Sequence, residues 1–325
     1  MINNHFESFQ ILNYFQSAST SQKYLRQCYK SLNLEQATSL SFHNCTRFMH
    51  FIEHGISYFQ QVRQSPISLQ PILLFYGTIQ LIKACLLTVD PYYPENTSVL
   101  AHGLSTRKRK KQSYQFLDDE VKIQRNGLFM HFSNKLFHVK QLEGEKLIMK
   151  HLLLEVPELS NAFRFLFGKN SFVLLEKTHH QSFLLSKRIL NGFHMTETRF
   201  IDFFSSKIGE EMIIEQHDDH YFQLTFHGNK LEYPPLRYHF ENQTLACPIE
   251  KRNSFLPELM VHYALLYNLS MIARYETEWW LELIKTNPNE DYPFITQFLS
   301  VSSHKVPIFI AHYLHPLRLE NRFVF

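Results

Sequence analysis

Glycine is scarce in this sequence. The 325 residues include 9 glycines, and neither GxGxxG nor GxxxxGK[ST] occurs. Because these patterns hold phosphate groups with glycine backbone, their absence excludes the common dinucleotide-binding and P-loop sites. GxSxG and HExxH are also missing, so the chain carries neither the α/β-hydrolase nor the zincin signature, and we expect no cofactor.

Cysteine is also rare. The four cysteines are Cys28, Cys45, Cys85 and Cys247, and no two of them form a CxxC pair. We therefore expect no disulfide framework and no structural zinc site. The first ten residues lack the basic start and apolar run of a secretory leader. Together these features favour a reducing, cytoplasmic location.

Charged residues are sparse and unevenly placed. They form 19% of the chain, against 44% hydrophobic residues, so the sequence can bury a substantial core. Between Ser105 and Arg125 lie seven basic and three acidic residues, which gives this stretch +4, whereas the whole chain is +3. The basic character of the protein is therefore local.

This positive charge is concentrated in one segment, residues 102–111, which we call the basic segment. It begins with His102 and Ser105 and ends in an unbroken run of cations. The run is Arg107, Lys108, Arg109, Lys110 and Lys111. Such a run can bind the phosphates of RNA or of a nucleotide, or an acidic surface on another protein. Alternatively, it is a solvated loop balanced by Asp118, Asp119 and Glu120.

Hydrophobic periodicity predicts the fold class. A spacing of three and four residues indicates long helices near 34–64 and 69–89, and helical patterns return from residue 256. The final helices are predicted at 292–300 and 305–315. Alternating patterns near 171–177, 183–190, 211–216 and 221–226 indicate strands. We predict an α+β fold that is predominantly α-helical, with N- and C-terminal helices packed together.

The same patterns suggest three regions. Residues 1–170 form a helical region that contains the basic stretch 102–125. Residues 171–250 form an α+β middle section, and residues 251–325 form helices that pack on the N-terminal ones. Helix 69–89 is long enough to span a bilayer, but Gln80 and Lys83 interrupt it, so we expect a buried core helix and no membrane partner.

Two further groups of residues can be read as chemical sites. Arg125 and His131 are six positions apart, a spacing that resembles the motif of HEPN-type helical ribonucleases. That resemblance implies a metal-independent ribonuclease with His131 as general base and Arg125 as phosphate anchor. However, Gly127 makes a regular helix there doubtful. The consecutive His217, Asp218, Asp219 and His220 offer metal ligands, but consecutive residues of a turn rarely all reach one ion, and a polar turn needs no metal. We therefore expect no metal site.

The paired tryptophans Trp279 and Trp280 can divide between core and surface. Burial of at least one is expected, since large aromatic side chains dominate core packing.

Three stretches together resemble one family. They are AHGLSTRKRKKQSYQFLDDEVKIQRNGLFMHF, PILLFYGTIQLIKACLL and HYALLYNLSMIARYETEWW. On these stretches the chain resembles the YaaC-like family of bacterial cytosolic proteins, along essentially its whole length. Genes of that family often lie near the gene for IMP dehydrogenase, so the resemblance implies a link to guanine nucleotide supply. We therefore expect a non-catalytic regulatory or binding protein, with IMP dehydrogenase as a candidate partner. The alternative is the HEPN-like ribonuclease.

Overall fold

The computed structural model describes most of the chain. The described residues are 5–106, 114–179, 181–228, 230–252 and 256–316. They form helices and three small antiparallel sheets. The chain divides into two compact units, a helical unit built from residues 2–153 and 259–325 and a mixed unit built from residues 154–258.

Helices account for most of the described residues. Their bounds are α1 His5–Tyr14, α2 Ala18–Ser31, α3 Ala37–Val62, α4 Gln70–Val89, α5 Leu128–Phe137, α6 Met149–Leu154, α7 Ser160–Phe167, α8 Ile189–Phe193, α9 Glu197–Ile208, α10 Glu258–Tyr275, α11 Thr277–Thr286 and α12 Asp291–Leu314.

The strands are short. Their bounds are β1 Leu104–Thr106, β2 Glu120–Ile123, β3 Lys146–Ile148, β4 Phe172–Leu174, β5 Glu176–His179, β6 Ser182–Ser186, β7 Met212–Gln216, β8 Tyr221–Phe226, β9 Arg237–His239 and β10 Thr244–Pro248. The sheet β1-β2-β3 lies in the helical unit, and the sheets β4-β10-β9 and β5-β6-β8-β7 lie in the mixed unit.

In the helical unit, the N- and C-terminal helices contact each other. Helix α12 contacts both α1 and α4, and α3 packs against α2 and α4. One stripe of α3 carries the apolar residues Phe48, Ile52, Ile56 and Phe59, all of them buried. Their spacing brings them to one helix face, as the sequence predicts. The predicted fold class is confirmed.

Helix α4 is a core helix. By length and composition it could cross a membrane, but 67% of its most apolar window is buried inside the protein. Thirteen of its residues are buried, among them Leu74, Phe75, Leu81 and Leu86. The prediction of a buried central helix is therefore confirmed, because protein side chains rather than lipid cover its apolar surface.

The C-terminal end of the fold differs from the sequence prediction. The sequence predicts two short helices at 292–300 and 305–315, but α12 runs unbroken from Asp291 to Leu314 with Pro307 inside it. Proline removes a helix hydrogen bond and usually ends a helix. Here Val306, Ile308 and Ile310 beside it are all buried, so tertiary packing stabilises a continuous helix.

The mixed unit encloses its own core. Strands β7 and β8 pair antiparallel, with Met212 opposite Phe226, and form the hairpin that the alternating pattern predicts. Helix α9 contributes Phe200 and Phe204 to a buried cluster that also contains Phe222 of β8. The rings of Phe200 and Phe222 stack with centroids 5.3 Å apart.

Candidate functional site

Two neighbouring strands flank the five consecutive cations at 107–111. Strand β1 ends at Thr106, and it pairs antiparallel with β2 so that Ser105 lies opposite Lys122 and Thr106 opposite Val121. Of the predicted site residues, His102 and Ser105 are placed by the structure. Arg107, Lys108, Arg109, Lys110 and Lys111 lie outside the described residues. The connection from Thr106 to Glu120 therefore begins and ends at paired strands of one small sheet.

Helices hold His102 at the upstream end of this connection. Its carbonyl oxygen accepts hydrogen bonds from the Tyr263 hydroxyl at 2.9 Å and from the backbone N–H of Phe129 at 3.2 Å. Its half-buried ring lies 5.0 Å from the ring of Phe75 and 5.8 Å from that of Tyr267, measured between centroids. His102 is thus fixed in both its backbone and its side chain.

Two glycines allow the chain to cross itself beside His102. Gly127 has φ +123°, and a Cβ atom there would lie 2.4 Å from the Cα of Gly103. Gly103 also has positive φ, at +81°. Only glycine fits this close approach without displacing backbone. The crossing sets the position of His102 against the first turn of α5.

Ser105 is held by its neighbour across the sheet. Its hydroxyl oxygen accepts a hydrogen bond from the Gln124 side-chain amide at 2.7 Å. The backbone N–H of Gln124 in turn donates to the Gly103 carbonyl at 2.9 Å. Since a hydroxyl both accepts and donates, this hydrogen bond does not use the hydroxyl proton of Ser105.

Asp291 anchors the downstream end. Its carboxylate oxygens accept hydrogen bonds from the backbone N–H groups of Phe116 at 2.7 Å and Leu117 at 3.1 Å. Burial raises the pKa of Asp291, and the nearby Asp118 raises it further, although the two N–H donors oppose the shift. A buried acceptor at the start of α12 thus satisfies two backbone donors of the connection.

Asp119 provides a second anchor beside it. Its Oδ2 accepts hydrogen bonds from the Tyr114 hydroxyl at 2.7 Å and from the Asn268 amide at 2.8 Å. The Tyr114 ring packs edge-on against Trp279, with centroids 4.7 Å apart. Trp280 is buried at 1% exposure and donates from its indole to the Ser68 carbonyl. The two tryptophans therefore divide between the core and the base of the connection.

The structure places Arg125 and His131 in different settings. His131 lies on α5, so the stretch that contains Gly127 is helical from Leu128 onward. The His131 Nε2 lies 2.9 Å from Asp90 Oδ2. Arg125 is exposed, in the bend before the helix. Within the described part of the chain, no hydrogen bond or ion pair joins Arg125 to His131.

Asp90 also interacts with Lys135, whose Nζ lies 3.4 Å from the same carboxylate oxygen. Burial by itself would raise the pKa of Asp90, but the hydrogen bond from His131 and the charge of Lys135 outweigh it, so the pKa is lowered. The ring of His131 lies 5.4 Å from the ring of Tyr93. This histidine–aspartate pair is 13% and 9% exposed and lies next to a basic side chain.

Comparison with known proteins gives one match. The family model described as YaaC-like Protein covers residues 13–314. The chain belongs to the YaaC-like family. The range includes His102, Gly103, Gly127 and both anchors, Asp119 and Asp291. No curated protein and no solved structure matches the chain.

The histidine-rich turn of this YaaC-like protein is explained by its own backbone. Asp218 Oδ1 accepts hydrogen bonds from the backbone N–H groups of His220 and Tyr221, both at 2.7 Å. The carboxylate therefore closes the hairpin turn between β7 and β8. Among the residues that the structure describes, no three His, Cys, Asp or Glu side chains form a group able to hold a metal ion.

Several residues of the site were missed from the sequence. Asp90, Asp291 and Asn268 contribute its side-chain contacts, but each lies in a different part of the chain. One signal was available for Asp90, which directly follows a helix that is apolar nearly all round. A carboxylate so close to the core needs a partner. Asp291 and Asn268 carry no comparable signal.

Proposed function

We propose that this YaaC-like protein is a non-catalytic, cytoplasmic binding protein whose basic segment recognises a phosphate-bearing ligand. One observation carries the proposal: both ends of the connection that contains the cations are fixed to the helical unit by directed hydrogen bonds. His102 and Ser105 are held upstream, and Phe116 and Leu117 are held by Asp291 downstream.

Fixed ends favour binding. A loop whose two ends are anchored has less conformational freedom to lose when it contacts a ligand, so more of the interaction energy remains for affinity. Arginine and lysine side chains form charge-assisted hydrogen bonds with phosphate oxygens. Five of them in succession between anchored ends make phosphate recognition the best-supported function for this segment.

Two bearers of phosphate, a nucleotide and an RNA, are consistent with this chemistry. The third candidate is an enzyme partner that presents an acidic surface to the cations. For the last, the family resemblance favours IMP dehydrogenase, through the link to guanine nucleotide supply. The location proposal rests on cysteine chemistry. All four cysteines are buried, as core residues of a cytoplasmic protein would be.

Neutralising the run tests the proposal. We expect replacement of Arg107, Lys108, Arg109, Lys110 and Lys111 with glutamine to weaken ligand binding at least about tenfold. The salt dependence of binding should also flatten, because fewer counterions are released. Binding of GMP, of a single-stranded RNA and of IMP dehydrogenase would each be titrated across a salt series.

A matched control separates local charge from total charge. Exposed cations elsewhere in the helical unit can be replaced with glutamine instead: Lys23, Arg26, Lys30, Lys140 and Lys285. Both variants lower the formal charge of +3 by the same amount. Equal weakening by the two variants, or no weakening by the first, would contradict the proposal.

A ribonuclease is the second candidate, and the His131–Asp90 pair is the observation that favours it. A carboxylate that accepts a hydrogen bond from one imidazole nitrogen orients the ring, as in general-base catalysis. The neighbouring Lys135 adds positive charge for a phosphate. Deep burial of the pair and the separate position of Arg125 favour the binding function over this one.

Substitution of His131 distinguishes structure from catalysis. His131→Ala leaves the buried Asp90 carboxylate without its closest donor, so we expect the free energy of unfolding to fall by about 1–3 kcal/mol. His131→Gln retains an N–H donor near the position of Nε2 but cannot act as a base. A binding protein therefore keeps both stability and ligand affinity in the glutamine variant, as measured by urea denaturation and titration.

The ribonuclease alternative makes the opposite prediction for activity. RNA cleavage by the wild type that disappears in His131→Gln, while the variant remains as stable as the wild type, would establish catalysis. It would also overturn the non-catalytic proposal.

A further inference from the structure

Lys83 has an unusual setting for a lysine. It lies on the core helix α4 and is half-buried, and its Nζ lies 5.7 Å from the centroid of the Phe51 ring. Burial lowers its pKa, because an ammonium group loses hydration there. Within the described part of the chain, no carboxylate pairs with it. A cation so placed destabilises the fold unless something else compensates it.

Arg274 lies near the same face of α4. Tyr76 precedes Lys83 by seven residues, which is two helical turns, so the two share a face. The Arg274 Nη1 donates a hydrogen bond to the Tyr76 hydroxyl at 3.1 Å, and its guanidinium lies 5.7 Å from the Tyr76 ring centre. The guanidinium also lies 5.2 Å from the ring of Tyr275, which is 68% exposed.

His102 completes the group. Its ring lies 6.3 Å from the Tyr76 ring, between centroids. Burial lowers the pKa of His102, and the positive charges of Arg274 and Lys83 lower it further. For the described residues, no ion pair joins a carboxylate to Lys83, His102 or Arg274. Tyr76 therefore links two of the three basic side chains, since it contacts both His102 and Arg274, and Lys83 lies two turns along the same face of α4.

We propose that Lys83, His102 and Arg274 form the binding site for the phosphate group of a nucleoside monophosphate. This deepens the proposed function and rests on it, because His102 is the first residue of the basic segment. An anion at this position compensates the two fixed charges that the fold leaves unpaired. The exposed ring of Tyr275, next to Arg274, offers a surface on which a base can stack.

Phosphate suits these groups better than a carboxylate does. The Arg274 guanidinium already donates from Nε to the Ser270 carbonyl, from Nη1 to the Tyr76 hydroxyl and from Nη2 to the Met271 sulfur, but each Nη carries a second N–H. A tetrahedral dianion can accept from these remaining N–H groups and from the ammonium group of Lys83. The imidazole of His102 can donate a further hydrogen bond. Because a bound dianion favours the charged form of its neighbours, it should also raise the pKa of His102.

Binding to the full chain tests this site. The probes are GMP, AMP, CMP and UMP, with the matching nucleosides and inorganic phosphate as comparisons, in calorimetric titrations. We expect at least one monophosphate to bind, its nucleoside not to bind measurably, and inorganic phosphate to bind more weakly. Lys83→Gln and Arg274→Gln should each weaken binding at least about tenfold. Exposed Lys30→Gln and Arg26→Gln should leave it unchanged.

An NMR measurement tests the site without any substitution. The NMR titration of the His102 ring should move to higher pH when the monophosphate is bound. Lys83→Gln should keep or raise the melting temperature of the ligand-free protein, since it removes a half-buried charge. Should Arg274→Gln unfold the protein, Arg274→Lys keeps the charge but loses the fork, and it should weaken binding as well.

The outcomes distinguish binding at Lys83, His102 and Arg274 from binding at the five cations of residues 107–111. If the five-fold glutamine variant at 107–111 loses monophosphate binding while Lys83→Gln and Arg274→Gln retain it, the site is wrong and the proposed function stands. Inorganic phosphate binding as tightly as the monophosphate would overturn the nucleotide assignment. If no monophosphate binds and His102 titrates unchanged, the site is overturned. The proposed function then depends on whether neutralising the run affects RNA or IMP dehydrogenase.

Discussion

Replacing Arg237 with methionine is expected to lower the free energy of unfolding of the mixed unit by about 3–5 kcal/mol. Arg237 is fully buried. Its Nη2 donates to Glu155 at 2.7 Å and to the Leu256 carbonyl at 2.7 Å, and its Nη1 donates to Glu232 at 2.9 Å. Removal of the guanidinium leaves buried carboxylates without their main counter-charge.

The pKa shifts of Glu232 and Glu155 show that Arg237 helps to keep both carboxylates ionised inside the protein. Burial raises the pKa of Glu232, and Arg237 only partly opposes the shift, while Glu258 adds to it. Burial also disfavours ionised Glu155, but there Arg237 and Arg252 prevail and the pKa is lowered. Without Arg237, both carboxylates become harder to ionise inside the protein.

The effect should depend on pH in one direction. Glu155 contributes stability above its unfolded pKa, and this contribution is lost as the pH falls through its lowered folded pKa. Glu232, whose folded pKa is raised, costs stability as the pH rises through that value. Arg237→Met loses the stability that ionised Glu155 contributes, and it increases the stability cost of ionising Glu232. The difference in the free energy of unfolding between the wild type and Arg237→Met should therefore grow from acidic to neutral pH.

Hydrogen exchange on peptides from 154–258, together with urea denaturation followed by circular dichroism, measures this loss. Lys207→Met is the control, because Lys207 is an exposed cation of the same unit. Arg237→Lys should fall between them, since one ammonium cannot reproduce the fork that reaches two carboxylates. A deficit in Arg237→Met no larger than that in Lys207→Met would show that the buried ion pairs contribute nothing to this unit.

Asp291→Ala is expected to lower the free energy of unfolding of the helical unit by about 2–4 kcal/mol, because two buried backbone N–H groups lose their acceptor. Phe116 and Leu117 donate to that carboxylate, and both are themselves buried. The substitution also frees the downstream end of the connection that carries the cations. We therefore expect weaker ligand binding in addition to the loss of stability.

Amide exchange at Phe116 and Leu117 reports this change directly. Glu290→Ala is the control, since Glu290 is the exposed neighbouring acid and makes no side-chain capping bond. Asp291→Asn retains an acceptor oxygen and should lose less than alanine. Since burial raises the pKa of Asp291, the wild type should lose stability relative to the asparagine variant as the pH rises through that pKa. Unchanged exchange in Asp291→Ala would show that the anchor is dispensable.

The helices could be predicted because their information is local. The stripe through Phe48, Ile52, Ile56 and Phe59 repeats at helical spacing, and burial follows from that spacing alone. Prediction failed at α12, where Pro307 and the polar residues before it indicate a break. There the burial of both flanks stabilises a helix that the local sequence disfavours.

The sequence predicts the cations of the candidate site but not the residues that anchor them. Five consecutive cations are recognisable anywhere, because charge density is a local property. Their anchors are not, since Asp291 reaches across 175 positions to Phe116, and Asn268 across 149 to Asp119. The Arg125–His131 spacing was visible too, yet the partner of His131 is Asp90, 41 positions away.

The sequence by itself determined the fold class, the family, the buried character of α4 and the position of the basic run. Each of these depends on composition, on period or on a contiguous pattern. The tertiary structure alone decided which side chains meet: Asp291 with the connection, Asp90 with His131, and Asn268 with Asp119. Hydrogen bonds and charge pairs act over a few ångströms in space, and only folding brings such distant residues within that range.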